Sequence, residues 1–365
     1  MTKNAYIHIP FCVKKCNYCA FVSCNKLQRK KAYIEALLKE IKSNYKGEKL
    51  NTIYFGGGTP SLLTIEEIKS VIECFNFSSD TEVTLEVNPN KLRMEYLKQL
   101  KSIGVNRLSI GAQTFDSKIL KFIGRLHSPF DIESAVKNAR NVGFDNISLD
   151  LIYGLPSQTL QGFKDSLNKV VELDVEHVSL YGLKIEEGTA FEKMQLNDLP
   201  DDDMQADMYL LAGDVLRNAG YEKYEISNFA KKGFYSKHNL NYWGANTYYG
   251  FGCGAHGYVD DIRYENQVDL ESYIQNPLIR LSTTKLSVEE KIEEFVFLGF
   301  RKAEGIDIEK LKQEYDYDFE QMNYKSLQKF LSSGHVVKTK NGYAFSDEGF
   351  LLSNEILCEF LADEG

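Results

Sequence analysis

Three of the seven cysteines lie within eight residues of one another, at Cys12, Cys16 and Cys19. The spacing C-x3-C-x2-C lets three thiolates converge, and soft sulfur ligands favour iron–sulfur clusters, zinc or copper(I) over hard cations. Three ligands leave one iron of a four-iron cubane free to bind a group that is not protein, much as an open coordination position marks a catalytic zinc site. The stretch therefore predicts a cluster with one open iron.

Two other interpretations of the three cysteines remain open from the residues alone. They could be buried thiols on one helical face, or ligands of a zinc site whose fourth ligand is distant in sequence. Pro10 precedes the first cysteine, and Lys14, Lys15 and Asn17 lie between the cysteines without an apolar helical stripe. These residues favour a loop.

Strand-like and helix-like segments alternate after this loop. Runs rich in β-branched and aromatic residues predict strands at 5–9, 51–55, 81–87, 106–111, 146–152 and 178–183. Apolar residues at three- and four-residue spacing predict helices at 30–45, 65–75, 94–103, 132–141, 160–173 and 204–219. The alternation predicts βαβ units around a parallel sheet, an α/β fold of the partial (β/α)6, TIM-like type, with a seventh strand at 223–227.

A doubly wound sheet would share the same alternation, and periodicity does not separate the two folds. No Gly-x-Gly-x-x-Gly turn follows the first strand, which excludes the dinucleotide-binding version.

Glycines and polar residues follow the predicted strands at their carboxyl ends. In a parallel barrel this edge collects the active site. Singly, such residues are explained as turns, solvated charges or helix caps. Together they predict a ligand site beside the cysteines, and the residues concerned are Gly57, Gly58, Thr59, Glu86, Gln113 and Asp150.

The segment Y-I-H-I-P-F-C-x3-C-x2-C at residues 6–19 resembles the cluster loop of the radical S-adenosylmethionine (SAM) superfamily, in the subgroup around the oxygen-independent coproporphyrinogen III oxidases. In that superfamily the open iron binds the amino and carboxylate groups of SAM, then delivers an electron that cleaves SAM to methionine and a 5′-deoxyadenosyl radical. The resemblance runs through residue 257. It implies a radical SAM barrel with a [4Fe–4S] cluster on Cys12, Cys16 and Cys19.

The same resemblance implies a set of residues that contact SAM. Carboxylates suit ribose hydroxyls or an ammonium group, and an arginine fork suits a carboxylate. Some of these positions serve a second SAM molecule in the related oxidases, so one or two bound molecules remain open. The matching residues are Tyr6, Tyr18, Gly57, Gly58, Thr59, Glu86, Gln113, Arg125 and Asp150.

Two departures from the oxidase pattern favour a different subfamily. Phe21 stands where the oxidases have a fourth cysteine, and only eleven residues precede Cys12, where the oxidases have a longer segment that reaches the substrate.

Residues 238–243 contain H-N-x-x-Y-W, which resembles the haem-binding signature of the HemW-type haem chaperones. The resemblance implies haem contact by His238, Asn239, Tyr242 and Trp243. A histidine can ligate haem iron, and the two rings can cover the apolar face of a macrocycle. The alternative is that His238 and Asn239 cap a turn while the chain's only tryptophan plugs the barrel mouth.

The βα rhythm stops after residue 270. Helices are predicted at 287–302, 308–315 and 323–332, followed by a hairpin with strands at 335–340 and 343–346. Helices followed by a hairpin resemble a winged helix. The acidic residues in this part argue against nucleic-acid binding, which needs lysine and arginine at the phosphates.

Composition limits the location and the partners of the chain. The 365 residues carry a net charge of −9, with no apolar run long enough to span a bilayer and no signal-peptide core after Met1. An odd number of cysteines clustered in one loop suits a reducing compartment. We expect a cytoplasmic protein without an integral membrane segment, which would reach membrane-bound recipients through a partner.

These inferences divide the chain into three parts with one function. We expect a radical SAM partial barrel at 1–230, a haem-contact segment at 231–285 and a small helical, winged-helix-like domain at 286–365. The resemblance implies a haem chaperone that binds haem, a [4Fe–4S] cluster and SAM, and passes haem to haemoproteins such as respiratory enzymes. One alternative is an oxygen-independent coproporphyrinogen III oxidase. Another is a zinc-stabilised interaction protein, which would not explain the residues at the strand ends.

Overall fold

Six strands alternate with helices in the first part of the chain, as the sequence predicts. The computed structural model describes residues 2–90, 92–196 and 198–361. The six strands are β1 (Asn4–Ile9), β2 (Thr52–Gly57), β3 (Glu82–Val87), β4 (Arg107–Gln113), β5 (Ile147–Tyr153) and β6 (His177–Gly182). The helices are α1 (Lys30–Asn44), α2 (Ile65–Ile72), α3 (Met94–Ser102), α4 (Ser117–Phe122), α5 (Pro129–Val142), α6 (Leu160–Glu172), α7 (Ala190–Lys193) and α8 (Asp202–Asn218).

The strands form one sheet in chain order, and each neighbouring pair from β1 to β6 is parallel. Three short strands extend the two edges: β7 (Glu222–Lys223), β8 (Asn228–Ala230) and β9 (Tyr249–Phe251). Strand β8 pairs antiparallel with β6, and β9 pairs parallel with β1. The first and sixth strands therefore do not meet among the described residues, and the barrel is partial, as predicted.

The predicted seventh strand at 223–227 is wrong. Strands β7 and β8 instead form a small antiparallel hairpin, and residues 224–227 make its turn. The carboxylate of Glu225 accepts the backbone N–H of Ser227 at 3.0 Å and also binds the side chain of Asn228. This local bonding closes the turn, which a propensity pattern does not reveal.

The interior of the partial barrel is polar. Side chains alternate along each strand, and the outward positions pack in the main hydrophobic core with the helices. The inward positions bond to one another, as in the contact of Ser109 with Asp150 at 3.0 Å and that of Ser148 with His177 at 2.8 Å. Arg107 is 2% exposed among them. The barrel interior therefore holds charged side chains among hydrogen-bonding polar groups.

A short helix, α9 (Lys237–Trp243), closes the amino end of the barrel. The carboxylate of Glu82, at the start of β3, accepts the backbone N–H groups of Lys237 and His238. The imidazole of His238 bonds to Thr52 at the start of β2, with 2.7 Å between Nδ1 and Oγ1. The H-N-x-x-Y-W segment is therefore part of the barrel floor.

The segment after β9 forms a small antiparallel sheet that the sequence did not predict. Its elements are β10 (His256–Val259), β11 (Ile262–Asn266), α10 (Leu270–Gln275) and β12 (Arg280–Lys285). Gly252, at φ +102°, leads into it, and a Cβ there would come within 2.5 Å of the backbone oxygen of His8. The glycine permits this close approach behind the cluster loop.

The C-terminal part follows the winged-helix order of helices and strands. Its elements are α11 (Val288–Gly299), β13 (Ile306–Asp307), α12 (Ile308–Tyr315), α13 (Phe319–Met322), α14 (Tyr324–Ser332), β14 (Val336–Lys338), β15 (Gly342–Phe345), α15 (Asp347–Leu351) and α16 (Ser353–Leu361). The predicted hairpin is present as β14 and β15, and β13 pairs with β15. Residues 362–365 of the predicted third part lie outside the described residues. Within the described ranges, no helix is both long and apolar enough to cross a membrane.

Candidate functional site

The three clustered cysteines lie on an irregular loop after β1, as predicted. The backbone N–H of Cys12 donates to the carbonyl of Cys24 at 2.9 Å, which closes the loop at its base. Asn17, near its tip, donates its backbone N–H to Ile123 and its side-chain amide to the carbonyl of Phe122. The loop is therefore fixed against the segment that follows α4.

A cavity of about 500 Å³ opens at the carboxyl ends of the strands, beside this loop. Its size is typical of a small-molecule site. It brings together eleven of the residues for which the sequence predicts a cluster or SAM contact. They are Cys12, Cys16, Tyr18, Cys19, Gly57, Gly58, Thr59, Glu86, Gln113, Arg125 and Asp150.

The three thiols of the loop are half-buried and line the cavity. A cubane binds each thiolate through a different iron, so three thiols on one loop fit such a cluster. Burial raises the pKa of Cys12 and of Cys19, so cluster assembly would have to displace their protons.

The glycine segment after β2 brings the backbone close to the first strand and the cluster loop. A Cβ on Gly57 would come within 2.5 Å of the His8 ring, and one on Gly58 within 2.7 Å of the carbonyl of Phe11. The N–H of Gly57 donates to Glu86 and that of Gly58 to Ile9. Protein acceptors therefore occupy both of these N–H groups.

Two carboxylates form the floor of the cavity. Glu86 accepts the hydroxyl of Tyr54 at 2.9 Å, and Asp150 accepts that of Ser109. Burial, with the neighbouring charge of Asp150, raises the pKa of Glu86 to about 7. Burial also raises the pKa of Asp150. The floor therefore offers negative charge in a poorly hydrated place, where a cationic group on a ligand is bound strongly.

Arg125 supplies the positive charge of the site. Its Nη2 donates to the side chain of Asn88 and to the carbonyl of Gly111, both at 2.7 Å, and its Nη1 is 3.7 Å from the sulfur of Cys16. Gln113 lies nearby at φ +68°, in the left-handed region. Such a backbone is uncommon for a residue other than glycine and often marks a functional position.

One residue predicted to contact SAM lies away from the cavity, and the cavity wall includes residues that the sequence analysis did not name. Tyr6 lies deeper in the barrel, with its hydroxyl 3.0 Å from His8, and is not among the residues that line the cavity. The cavity wall also includes Tyr54, Ser109 and Tyr181. These three occupy inward positions of β2, β4 and β6, so strand alternation could have found them.

His238 does not face a cavity, contrary to its assignment as a haem contact. It is 1% exposed, and its Nε2 is 2.8 Å from the hydroxyl of Tyr242 while Nδ1 is engaged by Thr52. Its ring stacks on Tyr54, with centroids 4.9 Å apart. Burial, followed by the charge of Arg107, lowers the pKa of His238 to about 3, so the ring is neutral. In this conformation neither nitrogen can reach an iron.

The other three residues of the predicted haem segment differ in their surroundings. Asn239 lies in the first turn of α9, where its backbone N–H donates to the capping hydroxyl of Ser236. Tyr242 faces inward, onto His238. Trp243 lines a separate cleft of about 460 Å³ between the end of α9 and the C-terminal part. Of the four residues, Trp243 alone lines this cleft.

Two models of known protein families match separate parts of the chain. A model of the radical SAM superfamily matches residues 6–170, and a model of the HemN C-terminal domain matches residues 286–352.

Several curated relatives match along their whole length. The chain is 39% identical to the heme chaperone HemW of Lactococcus lactis subsp. lactis, over 99% of this chain and 98% of that protein. It is also 39% identical to the heme chaperone HemW of Bacillus subtilis, over 99% and 100%. The corresponding protein of Escherichia coli is 33% identical, over 99% and 98%.

A solved structure agrees with the fold. The coproporphyrinogen III oxidase HemN of Escherichia coli, a radical SAM enzyme, superposes with a TM-score of 0.87 at 25% identity, over 98% of this chain and 90% of that one. The chain therefore belongs to the radical SAM superfamily and, within it, to the HemW family.

Proposed function

We propose that this protein is a haem chaperone that holds a [4Fe–4S] cluster and SAM in the cavity at the strand ends and passes haem to recipient haemoproteins. The observation that carries the proposal is the full-length similarity, at 33–39% identity, to proteins named heme chaperone HemW. The cavity supports it, because the predicted cluster and SAM residues other than Tyr6 line it.

Cys12, Cys16 and Cys19 would hold the cluster, whose open iron supplies a binding point for the amino and carboxylate groups of SAM. The chain positions those groups. Arg125 donates hydrogen bonds at the rim, close to Cys16, and a guanidinium there suits the methionyl carboxylate.

The cavity floor suits the cationic parts of SAM. Glu86 and Asp150 are the carboxylates nearest the barrel interior and would face the sulfonium, the ammonium or the ribose hydroxyls. Thr59 and Gln113 add neutral hydrogen-bonding groups, while Tyr18 adds an aromatic wall. Gly57 and Gly58 let the backbone pack closely at this wall, because a Cβ at either position would collide with the first strand or the cluster loop.

For haem, the proposal assigns the contact to the outer end of α9. Trp243 offers an aromatic face to an open cleft, whereas His238 would reach iron only after α9 left the barrel floor. Asn239 and Tyr242 support the helix in this scheme.

The proposed organisation keeps three parts: the barrel at 1–230, the α9 segment and small sheet at 231–285, and the C-terminal domain at 286–365. All seven cysteines are free thiols, which suits the cytoplasm. Recipients such as membrane-bound respiratory enzymes would be reached through a partner.

The test is a titration of the anaerobically reconstituted protein with haem, followed by the Soret band, with a coproporphyrinogen III turnover assay on the same sample. We expect saturable binding of about one haem per chain without turnover. Absence of haem binding would contradict the proposal.

The second candidate is a coproporphyrinogen III oxidase, which the TM-score of 0.87 with HemN favours. In that case the same sample, with SAM and a reductant, would release carbon dioxide from coproporphyrinogen III and would bind haem weakly. Turnover of this kind would replace the chaperone proposal.

A further inference from the structure

The cleft beside Trp243 has aromatic surfaces on both of its walls. Trp243 and Gly244, at the end of α9, form one wall, and Phe295 and Gly299 of α11 form the opposite one. The two glycines add no side chain to these walls. A volume of about 460 Å³ suits a partly enclosed ligand of moderate size.

Three lysines surround the aromatic part of this cleft. Lys302 is paired with Glu304 at 2.7 Å. Lys310 lies over the ring of Phe295, 5.5 Å from its centroid, and 3.8 Å from the carboxylate of Glu314. Lys340 makes no side-chain hydrogen bond or ion pair in the described ranges. The charge is notable in a chain whose net charge is −9. The cleft therefore has cationic groups available to an incoming anion.

The two carboxylates that line the cleft are engaged by other groups of the protein. Glu304 pairs with Lys302, and Asp307 accepts the backbone N–H of Lys310 at the start of α12. In contrast, the hydroxyl of Thr339 is buried at the cleft wall without a hydrogen-bond partner. Buried hydroxyls are normally satisfied, so this one is an unpartnered polar group in the wall of the cleft.

We propose that this cleft is where the porphyrin binds, with its ring against Trp243 and Phe295 and its two propionates directed to Lys310 and Lys340. The inference rests on the proposed haem-chaperone function and specifies its haem site. A porphyrin is a flat apolar ring with carboxylates on one edge, which matches aromatic walls with lysines at one side. The proposed site extends the haem contact from the H-N-x-x-Y-W helix to the C-terminal domain.

The cleft offers no ordinary iron ligand. None of the described residues that line it is a histidine, cysteine or methionine. Recognition is therefore by the ring and the propionates, and the iron keeps its axial positions for the recipient protein. It follows that iron-free protoporphyrin IX should bind about as tightly as haem.

The experiment compares protoporphyrin IX and its dimethyl ester on the cluster-reconstituted full chain. The variant is the double charge reversal Lys310→Glu with Lys340→Glu, and its control is Lys164→Glu, an exposed lysine on α6. Binding is measured by absorbance titration, with iron content and SAM binding checked for each variant.

We expect the double variant to bind the free acid at least tenfold more weakly than the wild type and the ester with unchanged affinity, while the control behaves as the wild type. Equal affinity of the double variant and the wild type for the free acid would overturn the cleft assignment. An equal loss for acid and ester would overturn the role of the lysines.

Failure of the chaperone proposal would look different. In that case the wild-type protein itself would bind neither haem nor protoporphyrin IX. A second variant, Phe295→Ala, keeps the inference testable if the charge reversals disturb the domain: it should weaken binding of both the acid and the ester, and unchanged binding of both would reject the aromatic contact.

Discussion

At the scale of single residues, Glu86 is the group whose chemistry depends most on where the fold places it. It lies at the floor of the cavity, accepts Tyr54 and the N–H of Gly57, and has a pKa raised by burial to about 7 from a usual value of 4.5. Its protonated form therefore stabilises the folded chain fully below pH 4.5, and this contribution is lost as the pH rises through 7. A bound cation would favour the ionised form.

The affinity for SAM should depend on this ionisation. We expect SAM to bind more weakly to the reconstituted protein at pH 6 than at pH 8, with a midpoint near 7, because protonation of Glu86 removes its charge. At pH 8 the Glu86→Gln variant should bind SAM more weakly than the wild type, by about tenfold or more, because loss of a charged hydrogen bond costs about 1.5–3 kcal/mol. Isothermal titration at several pH values is the measurement, and a variant that kept the wild-type pH profile would refute the role of Glu86.

Cluster assembly is the second prediction at this scale. Replacing one of the three cavity cysteines, as in Cys16→Ala, should abolish a cubane that otherwise gives about four irons per chain. Cys358→Ala is the matched control, because that thiol is exposed on α16, away from the cavity lining. Iron and sulfide analysis with visible absorption measures both. Stoichiometric zinc in the wild type, without iron–sulfur absorption, would contradict the cluster.

At the scale of elements, a buried carboxylate joins the barrel to the small antiparallel sheet. Glu40 on α1 is 0% exposed and accepts the N–H of Gly252, the amide of Asn266, the hydroxyl of Tyr273 and the guanidinium of Arg280. Each partner belongs to a different part of the segment after β9. A single side chain thus holds that segment against the first helix.

Removing this carboxylate should be strongly destabilising. Glu40→Ala breaks the ion pair with Arg280, whose side chain is 17% exposed and keeps its hydrogen bond to Asn266. Breaking a buried ion pair typically costs about 3–5 kcal/mol. Glu35→Ala, an exposed glutamate on the same helix, should change the free energy of unfolding by less than about 0.5 kcal/mol. Urea denaturation followed by circular dichroism compares the two. Similar denaturation midpoints for both variants would show that the contacts of Glu40 contribute little.

The elements were predictable from sequence where the pattern is local. Strands β1–β6 and helices α1, α2, α3, α5 and α6 follow from alternation and helical spacing, because burial on one face imposes both patterns. The short helix α4 was not predicted. The small sheet after β9 was missed, since β12 carries mostly polar, exposed residues and its place is set by Glu40, which is distant in sequence. The hairpin of β7 and β8 was missed because Glu225 makes the turn.

At the scale of the whole molecule, the cavity was predictable because the parallel sheet brings all its strand ends to one edge. A sequence motif, by contrast, does not show which part of the fold each of its side chains faces. His238 and Trp243 are five residues apart on one short helix, yet one is in the barrel floor and the other in the cleft. Only the position of α9 against β2 and β3 decides this.

Trp243 is the only tryptophan in the chain, and it lies where the barrel floor meets the C-terminal domain. The tryptophan fluorescence of the protein therefore reports on this single junction. Separation of the C-terminal domain would expose the indole to water and shift its emission to longer wavelength, even while the barrel stayed folded. The molecule thus carries a label-free optical probe of how its two halves stay together.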